Sequence, residues 1–168
     1  MQTKEITLSK SSLLSYPYLF PALAFTIPFL VSGPQLLTGT LVNCLLFSSS
    51  YYFMRKNQIM VAVGPSIGAL LNGLVFGGLT PYLAYFLPAI WIGNVILMRS
   101  FLALKNRSFA IKIVIPTLLK SLFLFVFAYA FYNTGLVPKI FLTAMGLFQM
   151  TTAVMGGLLF LLVRKVVK

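Results

Sequence analysis

Residues 109–132 read FAIKIVIPTLLKSLFLFVFAYAFY, an apolar run in which the only charged side chains are Lys112 and Lys120. A helix needs about 20 residues to cross the hydrocarbon core of a bilayer. This run is long enough and apolar enough to do so. It therefore predicts a transmembrane helix, and it places one basic side chain, Lys120, well inside that helix.

Apolar segments of similar length lie on both sides of this run and are separated by short breaks. We predict six spans, at about 12–31, 35–54, 59–79, 81–104, 109–132 and 138–163. The break at 77–81 reads GGLTP and is either a tight turn or part of a re-entrant hairpin. We expect an all-α integral membrane protein, a six-transmembrane-helix bundle that forms one membrane domain over residues 1–168.

The composition of the chain agrees with a membrane location. Of its 168 residues, 60% are hydrophobic and only 8% are charged, whereas roughly a quarter of the residues of a soluble domain are charged. The formal charge of +12 comes from 13 basic residues set against the single acid Glu5. In a membrane chain such basic residues are first of all topology signals. We therefore expect a lipid bilayer around this protein and no nucleic acid bound to it.

Basic residues recur at every other predicted connection. Before the first span and after the second, fourth and sixth lie Lys4, Lys10, Arg55, Lys56, Lys105, Arg107, Lys112, Arg164, Lys165 and Lys168. The connections on the opposite side carry only Lys139. Because loops rich in Lys and Arg stay in the cytoplasm, both termini are predicted to be cytoplasmic, in a multi-pass protein of the cytoplasmic membrane.

The same composition excludes several classes of chemistry. The chain has no His, no Asp and one Glu, so it cannot form a carboxylate pair, a Ser-His-Asp triad or a metal site built from these ligands. Cys44 is the only cysteine, so no internal disulfide is possible. We expect no enzymatic activity, no cofactor and no bound metal.

Polar side chains inside a membrane are costly and therefore informative. Near the middle of the predicted spans, or about two turns from an end, lie Asn43, Asn72, Trp91, Asn94, Lys120 and Gln149. If they converge they line a polar cavity, and if they point in different directions the amides bridge neighbouring helices. For Lys120 the alternatives are snorkelling towards water, a neutral amine, backbone carbonyls, or an anionic ligand. Trp91 either packs against a flat ligand or fills the core.

Four motifs resemble a known family. They are residues 33–43 (GPQLLTGTLVN), 65–70 (PSIGAL), 88–94 (PAIWIGN) and 148–152 (FQMTT). Their order and spacing, over about residues 18–160, resemble the S component, the substrate-binding membrane subunit of energy-coupling factor (ECF) transporters, and in particular S-component-like proteins. Gln35, in the first motif, joins the six polar residues above as a predicted substrate-binding residue.

The resemblance implies a function. An S component captures a vitamin-like micronutrient near the external face and delivers it inward with a membrane coupling subunit and two ATPases. Since a cationic substrate would find no counter-ion in this chain, we expect a small neutral or anionic substrate with an aromatic or heterocyclic part. The alternative is a small scaffold or assembly subunit of a membrane complex, in which the amides serve only to hold helices together.

Overall fold

A computed structural model describes residues 18–31, 35–53, 55–76 and 80–166. Within these ranges the regular structure is entirely helical. The helices are α1 Leu19–Leu30, α2 Gln35–Tyr52, α3 Arg55–Phe76, α4 Thr80–Ala103, α5 Phe109–Asn133 and α6 Ile140–Val166. The predicted segment before residue 18 and the centre of the predicted break at 77–81 lie outside the described residues.

Four of these helices are long and apolar enough to cross a membrane. The spans are Asn57–Val75, Pro81–Ala103, Phe109–Asn133 and Ile140–Val166. The described part of α1 is a shorter apolar helix. α2 has 18 residues but carries many hydroxyl and amide side chains, of which Asn43 and Ser48–Ser50 are buried. Its lower hydropathy thus reflects an interior position, and the set as a whole indicates a multi-pass membrane protein.

Helices that follow one another along the chain run in opposite directions. α3 and α4 are antiparallel, because Ala62 lies beside Asn94 and Ser66 lies beside Trp91. α4 and α5 are also antiparallel, since the Phe86 ring contacts the Phe131 ring at 5.2 Å while Gly93 packs on Leu124.

The contacts of α6 complete this alternation. Gly146 packs on Phe125 and Gly157 packs on Ile113, so α5 and α6 are antiparallel. α1 is parallel to α3, because Phe25 lies beside Gly68 and Phe29 lies beside Asn72. α2 is parallel to α6, because Gly39 lies beside Thr152 and Asn43 lies beside Gly156. As a result, α1, α3 and α5 run one way while α2, α4 and α6 run the other.

Small residues set the distance between α1 and α3. Gly64, Gly68 and Asn72 lie four residues apart on one face of α3, and the backbone of α1 passes directly over them. The Asn72 Nδ2 donates to the Phe29 carbonyl oxygen at 2.7 Å. A Cβ at position 68 would clash with the Phe25 carbonyl oxygen, so only glycine allows this approach. Close packing of this kind is typical of membrane helices.

A second close pair is formed by α2 and α6. A Cβ at position 156 would lie 2.8 Å from the Thr40 carbonyl oxygen and 2.7 Å from the Asn43 Cβ. Further along, the Phe47 ring contacts the rings of Phe101 and Phe160 at 5.1 and 6.3 Å between centroids. Phe47 and Phe160 are 0% and 1% exposed. This aromatic cluster closes the half of the bundle nearest the basic connections.

Two glycines of α3, Gly64 and Gly68, provide a test of the close approach. Gly68→Ala should destabilise the protein relative to Gly64→Ala by about 1–3 kcal/mol, the usual cost of overpacking. Both changes add one methyl group to α3, but a Cβ at position 64 meets its nearest atom of α1 at an ordinary 3.5 Å. Thermal unfolding of the full chain in detergent measures the difference. Equal stabilities would contradict the described packing of α1 on α3.

Candidate functional site

A cavity of about 390 Å³ lies among the helices, within the size range of small-molecule sites. Six of the seven predicted substrate-binding residues line it, and they come from five helices. These residues are Gln35, Asn43, Asn72, Asn94, Lys120 and Gln149. The remaining lining is mostly apolar and includes Val42, Leu83, Ile90, Phe141 and Met145.

The cavity occupies the half of the bundle away from the basic connections. Its rim is formed where α1 ends and where α2, α4 and α6 begin, by Val31, Gln35, Leu83 and Ile140. Its deepest polar groups are near the middle of α2 and α5. At 1.5 Å per residue, Lys120 lies about 20 Å of helix from the end of α5 at Asn133. The aromatic cluster around Phe47, one turn beyond Asn43, lies below it.

Lys120 is the basic group at the base of the cavity. Its side chain is 2% exposed, and its Nζ donates a hydrogen bond of 2.8 Å to Asn43 Oδ1. The ammonium is thus turned into the bundle and does not snorkel to a helix end. No carboxylate side chain faces it within the described ranges, since the single acid, Glu5, lies outside them.

Asn43 is fixed in the orientation that Lys120 requires. Its Nδ2 donates to the Gly39 carbonyl oxygen at 2.8 Å and to Thr152 Oγ1 at 3.2 Å. A carbonyl can only accept, so the amide nitrogen must face Gly39 and the amide oxygen must face Lys120. The close approach of α2 and α6 at Gly156 brings Thr152 within reach. The position of the ammonium therefore depends on the packing of three helices.

Asn72 and Asn94 are oriented in the same way. Each amide nitrogen donates to a backbone carbonyl of a neighbouring helix, that of Phe29 for Asn72 and that of Ala62 for Asn94, both at 2.7 Å. The amide oxygens are therefore the free ends. Asn94 is 1% exposed, and its Oδ1 has no hydrogen-bond partner among the described residues. A buried acceptor without a partner costs about 1–3 kcal/mol of stability, so a hydrogen-bond donor placed at this atom would be favourable.

Gln35 and Gln149 lie beside an irregular turn of α6. Residues Ala144–Phe148 form a π-helical turn, and Ala144, Met145 and Gln149 all line the cavity. Gln35 Nε2 lies 3.5 Å from the Ala144 carbonyl oxygen, at the limit of a hydrogen bond. π-Helical turns inside α-helices occur frequently at functional sites. The sequence reasoning missed this turn, because residues 144–148 (AMGLF) give no signal that separates it from an ordinary helix.

Trp91 is the one predicted site residue that does not line this cavity. Its Nε1 donates to Ser66 Oγ at 2.8 Å, and its ring lies on a separate, largely apolar pocket between α3 and α4 that also includes Val95 and Arg99. Ser66 does line the main cavity. It was missed as a candidate, although it lies in the PSIGAL motif, because a serine commonly bonds to its own helix, as Ser66 also does to the Val63 carbonyl.

Comparison with protein-family models, with curated proteins and with solved structures gives no significant match. What the site can bind is therefore inferred from its geometry. That geometry is a partly open pocket with a mostly apolar lining, one buried lysine, one buried acceptor without a partner, and amide side chains from four helices.

The pairing of Lys120 with Asn43 predicts strong coupling between the two positions. Asn43→Leu should destabilise the protein by about 2 kcal/mol or more, because it leaves the buried ammonium without its acceptor. Lys120→Met in the same chain removes that ammonium and should recover part of the loss. A double-mutant cycle in apparent melting temperature measures the coupling, with Ser100→Ala and Lys120→Met as the uncoupled pair. Simple additivity of the Asn43 and Lys120 changes would contradict the bond.

Proposed function

We propose that this protein is a substrate-binding membrane subunit of the S-component type. It captures a small neutral or anionic, vitamin-like molecule in the cavity from the external side and delivers it inward with a partner module. The observation that carries the proposal is the convergence of Gln35, Asn43, Asn72, Asn94, Lys120 and Gln149 on one cavity. These residues were selected from the sequence as predicted binding residues, and each could have faced lipid or a different neighbour.

The proposed topology has six transmembrane helices with cytoplasmic termini. The alternating directions of α1–α6 support it, because they place the ends of α2, α4 and α6 on the side of the basic connections. In this orientation the cavity rim is external. α2 then crosses the membrane despite its hydroxyl groups, because those groups are buried against other helices and not exposed to lipid.

The distribution of packing supports a cavity that communicates with one side. The rim residues Gln35 and Ile140 begin their helices, whereas the half below Asn43 is filled by the Phe47 cluster. A molecule bound at Lys120 therefore has no passage to the cytoplasm without rearrangement. The sequence contains no Gly-x-x-x-x-Gly-Lys-Ser/Thr motif for ATP binding. A membrane coupling subunit with ATPases, as in the ECF family, would supply the energy.

One observation favours the second candidate, a scaffold subunit without a substrate. The side-chain nitrogens of Asn43, Asn72 and Asn94 all donate to backbone carbonyls, and two of these bonds join different helices. Such bonds hold membrane helices together without any ligand. The scaffold hypothesis does not account for the buried Asn94 Oδ1 or for the placement of Lys120 beside a cavity. We therefore favour substrate binding.

Native mass spectrometry of the gently purified full chain tests the proposal. A retained small molecule should appear on the wild-type protein and be lost, or reduced at least about tenfold, in Lys120→Met, because a charge-assisted hydrogen bond is removed. Lys112→Met is the matched control, since Lys112 lies on the same helix but is only half-buried at the basic end, bonded to the Lys105 carbonyl and away from the cavity lining. It should keep the molecule.

Two results would contradict substrate binding. The first is a wild-type protein that carries no small molecule under conditions that preserve a bound membrane subunit, which would favour the scaffold. The second is equal retention by Lys120→Met and Lys112→Met, which would remove the cavity as the site.

A further inference from the structure

The cavity combines two unmet requirements that together define the chemistry of an occupant. The first is the ammonium of Lys120, which has three N–H donors. Within the described residues it has a single hydrogen-bond acceptor, Asn43 Oδ1, and no carboxylate. A buried cation of this kind needs further acceptors, and a negative group satisfies it best.

The second requirement is the opposite one. Asn94 Oδ1 is a buried acceptor without a partner, on the wall of the same cavity. The amide cannot rotate to present its nitrogen instead, because Nδ2 is held by the Ala62 carbonyl at 2.7 Å. The Asn72 amide has the same orientation, because its nitrogen donates to the Phe29 carbonyl oxygen. In both asparagines, which line the cavity, the oxygen is the end of the amide that no neighbouring backbone holds, so an occupant that reaches these amides must bring the donor.

An occupant that meets only one of the two requirements leaves the other group buried and unpaired. A simple carboxylate without N–H or O–H groups would pair with Lys120 but leave Asn94 Oδ1 unmet. An uncharged lactam would pair with Asn94 but leave the ammonium without a counter-ion. A cation would be repelled by Lys120. Leaving a buried polar group unpaired is the strongest source of discrimination in a small pocket.

We propose that the occupant is a heterocyclic anion that carries both groups: an acidic group, such as a carboxylate, directed at Lys120 and a ring N–H directed at Asn94 Oδ1. This rests on the proposed function and narrows the substrate class from neutral or anionic to anionic with a donor. The apolar side chains of Ile90, Phe141 and Met145 form walls that suit a flat ring between the two polar ends.

Three single-ring probes separate the two requirements. Uracil-6-carboxylate carries a carboxylate and ring N–H groups, benzoate carries only the carboxylate, and uracil carries only the N–H groups. The affinity of each for the full chain in detergent is measured by its concentration-dependent thermal shift. We expect uracil-6-carboxylate to bind at least about tenfold more tightly than either of the other two.

Variants assign the two contacts. Lys120→Met should reduce the affinity for uracil-6-carboxylate to that for uracil or below, and Asn94→Leu should reduce it to that for benzoate or below, because the unmatched group of the probe is then buried without a partner. Lys112→Met should change neither. If Asn94→Leu does not fold, the comparison of the three probes on the wild-type chain still decides the matter.

The outcomes distinguish this inference from the function on which it rests. Equal binding of benzoate and uracil-6-carboxylate, equal binding of uracil and uracil-6-carboxylate, or no binding of any probe would overturn the inference. Substrate binding itself would still stand if native mass spectrometry shows a retained molecule that lacks one of the two groups. Absence of any retained molecule and of any probe binding would remove both.

Discussion

A buried lysine that no carboxylate faces among the described residues is the constraint on which the arrangement of the site depends. Lys120 must find acceptors inside the membrane, and Asn43 Oδ1 provides one at 2.8 Å. Asn43 can do so only while Gly39 and Thr152 hold its nitrogen. That arrangement in turn needs the close approach of α2 and α6 that a glycine at position 156 permits. The position of Lys120 is thereby tied to the packing of three helices beside the cavity.

The same amides both hold the bundle together and line the cavity. Asn72 and Asn94 each use the nitrogen to bind a neighbouring backbone, and this leaves the oxygen for the cavity. Structural and ligand-binding roles therefore do not exclude one another at these positions. The feature that favours a ligand-binding role is the unpartnered Oδ1 of Asn94, because Asn94 lines the cavity, whereas Gln58, whose buried Oε1 also has no partner among the described residues, does not. The cluster around Phe47 fills the half of the bundle below the cavity, so the two sides of the cavity are packed differently.

Much of the fold could be predicted from the sequence, because long apolar runs and short polar breaks define membrane helices with little ambiguity. The predicted 109–132 is described as Phe109–Asn133, and 81–104 as Thr80–Ala103. α2 was predicted as a span although its hydropathy is lower than that of its neighbours, and the structure explains its polarity by burial. Whether it crosses the membrane remains a prediction.

The direction of individual side chains was harder to predict. A helix that is apolar on nearly every side gives no periodic signal of which face points inward. Asn94 and Gln149 are predicted as substrate-binding residues because they are polar side chains within apolar spans, and both line the cavity. Trp91, three residues before Asn94, faces a different pocket, and Ser66 reaches the cavity instead. The π-helical turn at Ala144–Phe148 depends on tertiary packing and has no pattern of its own.

Substrate capture as proposed requires that the polar cavity is open to water from the external side. Gln149→Cys in a Cys44→Ala chain tests this in intact cells with a membrane-impermeant methanethiosulfonate reagent, which reacts with thiols in water. The control is Leu122→Cys, which is 64% exposed on the lipid-facing side of α5 and should not react. We predict rapid labelling at position 149 from outside. Labelling only from the cytoplasmic side of inverted vesicles, or equal labelling at positions 149 and 122, would contradict the account.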